Sequence, residues 1–329
     1  MTLLRTWGLR LAVIVVLLVL PLLLNSFRVS LLTEVLIFGL LAASLDLLVG
    51  YTGLASLGHA TYFGVGGYAA ALVARDLTSN ALAALAVAVV ISVMVALVTG
   101  WLAVRTRGVY FLMLTLAFAQ LLFSLATTWQ PVTGGSNGLS VPTAELFSLQ
   151  LTGTTLYYYV FVVTLAAYVV LRAITRSPFG RSLVAIRENE ARTRSIGYST
   201  FGYKLASYTI AGAFGGLAGG LFTQFNRFIA PTNIAFEISA IVLIMVIVGG
   251  RGTLYGPVIG AALLLLVREE LSARFEHFEL ALGLIFVLFV YFLPRGLAGL
   301  GRRRDPSPPT QPTLTGGTGA VPATAGGEG

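Results

Sequence analysis

What most constrains this chain is a series of apolar stretches that recurs from one end to the other, several near the roughly 20 residues that a helix needs to cross a bilayer. A soluble core has no room for so many helices that are apolar all round, whereas lipid solvates them on every side. Charged residues make up 10% of the 329 positions and hydrophobic ones 57%, against roughly 25% charged in a soluble domain. Mean hydropathy is +0.88. The expected fold is an all-α polytopic transmembrane bundle of about ten spans, with eight as the lower bound. Candidate spans cover about 10–25, 31–50, 59–75, 81–104, 108–127, 155–172, 204–225, 236–250, 254–268 and 279–294.

The net charge of +8 is made by 20 arginines and Lys204 against 13 acids. These cations gather in short segments between the apolar runs, which marks topology and not a nucleic-acid footprint. With the N-terminus inside, the inner segments hold 16 basic residues and the outer ones 5. Every span then alternates correctly, so both termini are expected in the cytoplasm. Cysteine is absent, which excludes disulfides and thiolate metal sites. The first apolar run follows Arg5 and Arg10 like a signal peptide, but Asn25-Ser26-Phe27-Arg28 offers no small-residue cleavage site. Residues 1–30 therefore read as an uncleaved span with its outer turn. From about Arg302 the chain turns to Pro, Gly, Thr and Ala without period, so 301–329 is expected to be a disordered cytoplasmic tail.

Two loops are long. The outer one, 128–154, is polar and Gly-rich, and its Gly134-Gly135-Ser136-Asn137-Gly138 has no strand–helix setting that would make it a nucleophile elbow. The inner one, 173–203, is the most charged stretch. After the breaker Ser177-Pro178-Phe179-Gly180, residues 181–196 predict one short amphipathic helix with Leu183, Val184, Ile186, Ala191 and Ile196 as its stripe, ending at Gly197. A stripe on a helix too short to stand alone suggests docking to a partner; the alternative is a solvated loop that only enforces topology.

Between the second and third spans, Gly50-Tyr51-Thr52-Gly53-Leu54-Ala55-Ser56-Leu57-Gly58-His59 interrupts the apolar pattern. A broken helix exposes backbone groups that can meet a substrate, and such a break is tolerated only inside protein or beside water. An ordinary cytoplasmic turn is the other reading. Ser56 and His59 lack an orienting carboxylate, so catalysis is not expected. Asp46 lies in the second span, as a hydrogen-bond anchor or a gating group. Gln120 lies in the fifth, where an interhelical hydrogen bond or a place beside the substrate path would account for it. Gly212, Gly216 and Gly220, with Gly215 and Gly219, make a face for close helix approach. No phosphate loop of the G-x-x-x-x-G-K-[ST] type occurs, so any ATP is hydrolysed by another polypeptide.

Four segments together resemble the M-type permease of bacterial branched-chain amino-acid ABC importers. They are residues 49–60 with Phe63-Gly64; Gly108-Val109-Tyr110-Phe111 through Gln120 to Thr133-Gly134-Gly135 and Gly138; Ser177-Pro178-Phe179-Gly180-Arg181 through Arg187-Glu188-Asn189-Glu190; and 249–257 closing with Leu293-Pro294-Arg295-Gly296. The resemblance covers about 31–300. It implies a permease subunit in a bacterial inner membrane, with a substrate path expected at Gly50, Tyr51, Thr52, Gly53, Ser56, Gly58, His59 and Gln120. It implies an ATPase-coupling loop expected at Arg181, Arg187, Glu188, Asn189, Glu190 and Gly197. Glu190-Ala191 and Gly197 resemble remnants of the family's E-A-A-x-x-x-G loop, with the glycine one residue late. The implied partners are a second, H-type permease, two ABC ATPase subunits, a substrate-binding protein, lipid and an amino acid, with no cofactor. A permease for urea or short amides, or an ion-coupled secondary transporter, would share the hydropathy.

Overall fold

The computed structural model describes residues 2–147, 149–274, 277–292 and 296–298. The expectations for 293–295 and for the tail at 301–329 lie outside the described residues. Every one of the ten apolar stretches is a helix. In chain order the helices are α1 (Thr2–Leu23), α2 (Ser26–Asp46), α3 (His59–Asp76), α4 (Ala81–Ala103), α5 (Val109–Thr128) and the single turn α6 (Gln130–Thr133). They continue with α7 (Gly153–Arg176), α8 (Pro178–Glu188), α9 (Glu190–Ser195), α10 (Thr200–Asn226), α11 (Phe236–Gly249), α12 (Tyr255–Ser272) and α13 (Phe278–Phe292). Among the described residues six segments are individually long and apolar enough to cross a membrane: Ser26–Thr52, Ala81–Ala103, Val109–Thr128, Gly153–Arg176, Thr200–Asn226 and Pro231–Gly249.

α2 is the central post. From residue 35 to residue 50 every side chain except Leu36 is buried, and α7, α10, α11 and α12 pack around it. A helix that is apolar all round is stable only when covered all round, and this one is covered by its own chain. α4 shows the opposite case. Its exposed residues Met94, Leu97, Val98 and Leu102 are all apolar, as a lipid-facing surface requires.

The glycine face of α10 meets α3 and α4. A Cβ added to Gly66 would strike the Gly216 carbonyl, one on Gly219 would strike the Phe63 carbonyl, and one on Gly216 would strike Ser92. Between α3 and α10 backbone thus meets backbone with no side chain between, and α4 adds only the small side chains of Ser92 and Ala96, which is what small residues at a helix contact permit.

At one end of the bundle the polar loop after α5 is folded. Strand β1 (Leu139–Ser140) pairs antiparallel with β4 (Phe228–Ile229), and β2 (Glu145–Leu146) pairs with β3 (Leu149–Gln150) in a hairpin. At the other end, which carries the charged loop, the single amphipathic helix expected over 181–196 is two helices. Asn189 divides them: its backbone is extended, and its side chain accepts from the Arg192 N–H at 2.9 Å as the cap of α9. A short amide side chain that can bond backbone two or three residues on competes with helix continuation. The expected breaker also acts as a start, with Ser177 capping α8 and Pro178 in its first turn. Leu183 and Ile186 of the predicted docking stripe are buried against the chain's own bundle, while Ala191 and Ile196 remain exposed. The α8 part of the stripe is therefore spent within the chain, and the part on and after α9 is not.

Candidate functional site

The expected helix break is present and has a defined architecture. α2 runs without interruption into a π-turn, Leu47–Thr52, closed by Gly53 in the left-handed conformation with φ 77°, a position that glycine fills without strain. The Leu54 N–H bonds back to the Leu48 carbonyl at 2.9 Å. Residues 53–58 then run on without regular secondary structure, with a bend at Leu57, and α3 starts at His59. Along this segment Leu54, Ser56 and Gly58 are buried, whereas Gly53 is exposed and Ala55 and Leu57 are half-buried. The alternation leaves one side of the segment packed on protein and the other open.

The packed side is held by hydroxyl groups from distant helices. Thr115 Oγ1 accepts from the Leu57 N–H at 3.2 Å, and Ser239 Oγ accepts from the Ala60 N–H at 2.8 Å. Ser56 Oγ accepts from the Gly58 N–H. Ser239 on α11 thus caps the first turn of α3 in place of Gly58, which has no side chain to do so. Gly58 packs on the backbone of Thr115, the seventh residue of α5, so the break lies about 9 Å along that helix. It is enclosed by the bundle on this side. Thr52 Oγ1 donates to the Leu47 carbonyl and meets Ser207 Oγ at 2.7 Å, so Ser207 is the donor between them.

His59 is fully buried and its Nε2 lies 2.8 Å from Ser44 Oγ. The single hydroxyl proton of Ser44 goes to the Leu41 carbonyl at 2.7 Å. His59 Nε2 must therefore carry the proton and donate. Its partner is Ser44 and not Ser56. Among the described residues no group of three His, Cys, Asp or Glu is placed to hold a metal.

Asp46 is an anchor. Its carboxylate accepts from the Gly252 N–H at 2.6 Å and from the Leu254 N–H at 3.0 Å, in the turn between α11 and α12. Leu254 holds φ 59°, unusual for a branched side chain, and the two bonds fix that turn. Gly50 lies against the same turn, where an added Cβ would strike Asp46 and the Gly252 backbone. From the other direction, the Arg187 guanidinium of α8 donates to the Gly50 carbonyl.

The charged loop divides by direction. Arg181, Arg187, Glu188, Asn189 and Gly197 are exposed. Glu190 instead turns inward, meeting Lys204 Nζ at 3.0 Å, Arg107 at 3.2 Å and Arg194 at 3.3 Å. Burial pushes its carboxyl up, but hydrogen bonding and charge from Lys204, the Arg107 charge and the Thr200 hydroxyl outweigh that and hold it below the ordinary carboxylate value.

Gln120 makes no buried interhelical bond, contrary to one of its two expected roles; it is exposed on α5. It shares a face with Tyr110, Met113, Ala117 and Ser124, all exposed and spaced by three or four residues. Near the start of this helix Val109, Phe111 and Leu112 join Gly53, Leu54, Ala55 and Gly108 around a cavity of about 250 Å³. Of the path residues named from the sequence, the structure brings Gly53 to this opening. It buries Thr52, Ser56, Gly58 and His59 and packs Tyr51 partly on the core. Sequence reasoning missed Ser44, Thr115, Ser207 and Ser239. Their signal was a hydroxyl inside an otherwise apolar span, which by itself does not say which backbone group it serves.

Comparison with known proteins agrees with this architecture. The family described as "Branched-chain amino acid transport system / permease component" matches residues 27–293. The high-affinity branched-chain amino acid transport system permease protein LivM of Salmonella typhimurium is 29% identical over 88% of this chain and 74% of its own length. LivM of Escherichia coli is 29% identical over 86% and 72%. A probable LivM of Methanocaldococcus jannaschii is 23% identical over 79% and 90%. No solved structure matches the chain significantly. With the family matched across most of its length and its apolar helices in place, the chain is a multi-pass membrane protein belonging to the branched-chain amino acid transport system permease family.

Proposed function

We propose that the chain is one of two permease subunits of an ATP-driven importer for branched-chain amino acids, and that substrate passes along the open side of the break at 53–58 beside α5. The observation that carries this is the break itself, closed by the chain's own helices on one side and open on the other. A zwitterionic head is costly to move through hydrocarbon. Backbone groups of a broken helix can meet it without placing a full charge in the membrane. Gly53, Ala55 and Leu57 supply that edge, and Gln120 and Ser124 continue a polar line up α5. An amide exposed to lipid would be expensive, so this face is read as turned toward the second permease and the path between them. The buried residues Thr52, Ser56, Gly58 and His59 shape the edge from behind. The relatives' names support the substrate class.

The distribution of basic residues supports a cytoplasmic position for the charged loop and for both termini. In that orientation the exposed side of α8 and α9, with Arg181, Glu188, Asn189 and Gly197, is the surface offered to the ATPase subunits, while a substrate-binding protein serves the opposite end. ATP hydrolysis belongs to those separate subunits, because this sequence has no phosphate loop.

The test is leucine uptake by the reconstituted complex carrying Ala55→Trp, Gln120→Leu or, as a control on the lipid-facing side of α4, Val98→Trp. The first two are expected to slow uptake with assembly intact, and the control to be silent. Normal uptake in both path variants would move the path elsewhere.

A further inference from the structure

We propose that Arg187 is a positioning residue that transmits movement of α8 to the helix break, as an inward-facing strut and not as a contact to the ATPase. The proposal rests on the reading of the chain as an ATPase-coupled permease. It starts from where this side chain goes. α8 is held to the bundle by Leu183 and Ile186, both buried, and its charged residues Arg181 and Glu188 face out. Arg187 does both: its side chain is 38% exposed and 3.8 Å from Glu188, yet its guanidinium also reaches across to donate to the Gly50 carbonyl, four residues after Asp46 and just before the chain leaves helical geometry at Gly53.

Three further contacts make this a junction. The aliphatic stem of Arg187 fills the space a side chain at Gly53 would need, with Cγ 2.7 Å from a Cβ built there. The guanidinium also borders Gly252, 3.6 Å from the corresponding Cβ position. Gly252 in turn donates to Asp46, where α2 passes into the π-turn that carries Gly50. One arginine therefore touches both sides of the seam between the central helix and the α11–α12 turn, and the hinge glycine at which the break begins.

The carbonyl of Gly50 lies near the C-terminal end of the helical segment, where carbonyls lack a partner further along the chain. A cationic donor is well suited to such a group. Shifting α8 then has two consequences that cannot be separated. It pulls or releases the helix end at Gly50, and it frees or crowds Gly53. Both change the width of the open edge formed by Gly53, Ala55 and Leu57.

The experiment uses the assembled complex with its second permease and ATPase subunits, carrying Arg187→Met or Arg187→Lys. Methionine keeps much of the stem and removes the donor; lysine keeps the charge and offers a shorter, single-point donor. Each complex is measured for assembly, for ATP hydrolysis and for leucine uptake. In the cysteine-free background an Ala55→Cys probe also reports thiol-labelling rate with and without ATP. With Arg187 present, the labelling rate is expected to depend on ATP. In Arg187→Met, assembly and hydrolysis should persist, labelling should lose its ATP dependence, and leucine carried per ATP should fall about tenfold, within the usual range of coupling between protein sites. Arg187→Lys should lie between. An unchanged leucine-to-ATP ratio with ATP-dependent labelling in Arg187→Met overturns the proposal. Failure of both variants to assemble also overturns it, in favour of a purely structural anchor. If the unaltered chain neither joins ATPase subunits nor supports ATP-driven uptake, it is the underlying functional reading that fails, and the two failures are distinguished in the same experiment.

Discussion

Replacing Glu190 by alanine removes the carboxylate that Lys204 meets at 3.0 Å, and the structure fixes how much that should cost. Three cations share this carboxylate, but they are not equal. The Arg107 and Arg194 side chains are each 62% exposed and return to water when it is gone, so each pair contributes at most about 1 kcal/mol. Lys204 is 6% exposed and has little water to turn to. Removing one partner of a buried pair costs about 3–5 kcal/mol. Glu190 itself is 17% exposed, so the site has some access to solvent and the lower end applies, about 3 kcal/mol or roughly 150-fold in an opening equilibrium. The segment that opens is α9, which this cluster ties to the start of α10. Tryptic cleavage after Arg192 and Arg194 in native membranes reports that opening while reclosing outpaces cleavage. Cleavage should accelerate by about two orders of magnitude in Glu190→Ala and return to within roughly tenfold of the unaltered chain in Glu190→Ala/Lys204→Met. A double variant as labile as the single one would refute the reasoning, since the cost would then not come from a stranded ammonium.

The same carboxyl sets a pH limit. Its folded value lies below the ordinary 4.5, so its stabilisation is complete above about pH 4.5 and is lost as pH falls through the folded value; amide exchange of residues 192–195, corrected for intrinsic rate, should stay slow to about pH 5 and quicken only below. Loss of protection already near pH 6 would contradict that sign. Asp46→Asn leaves one of the Gly252 and Leu254 N–H groups facing an amide NH₂. It should lower the stability of the detergent-purified chain by about 1–3 kcal/mol, read as an earlier thermal aggregation midpoint. Cys at exposed Ser136 should label from outside the cell and Cys at exposed Ser195 only from inside; the reverse pattern would invert the proposed orientation.

Much of the helical architecture was legible in the sequence because hydropathy reports solvent directly, and each of the ten apolar stretches is a helix. The break was legible too, since glycines at 50, 53 and 58 have few uses inside an apolar run. What stayed hidden was pairing over long separations. Asp46 could be read as costly but not as the acceptor for Gly252 and Leu254, 206 and 208 positions away. Periodicity revealed the apolar face of α8 but not what covers it, and Leu183 and Ile186 turned out to face inward. Gln120 shows the same gap from the other side. Its polarity was visible, yet only the packed structure shows it pointing away from the chain. The π-turn at 47–52 has no sequence signature, because six residues are too few for their spacing to tell a wider turn from an α-helical one.

The seam between α3, α4 and α10 limits how this molecule can move. Most packed helices can slip by exchanging side-chain rotamers, one small barrier at a time. Where Gly66 meets Gly216 and Gly219 meets the backbone of Phe63 there are no rotamers to exchange, and any slip must lift one main chain off another. α3 and α10 therefore form a chassis whose seam resists slip, with α4 fastened to it through Ser92 and Ala96. The moving parts must be sought outside it. α5 touches that chassis over a small area, and the α11–α12 turn meets the central helix at the Asp46 carboxylate and the Gly50 backbone. An alternating geometry built on this chain would be a matter of these parts changing place against a fixed frame, not of the frame itself flexing.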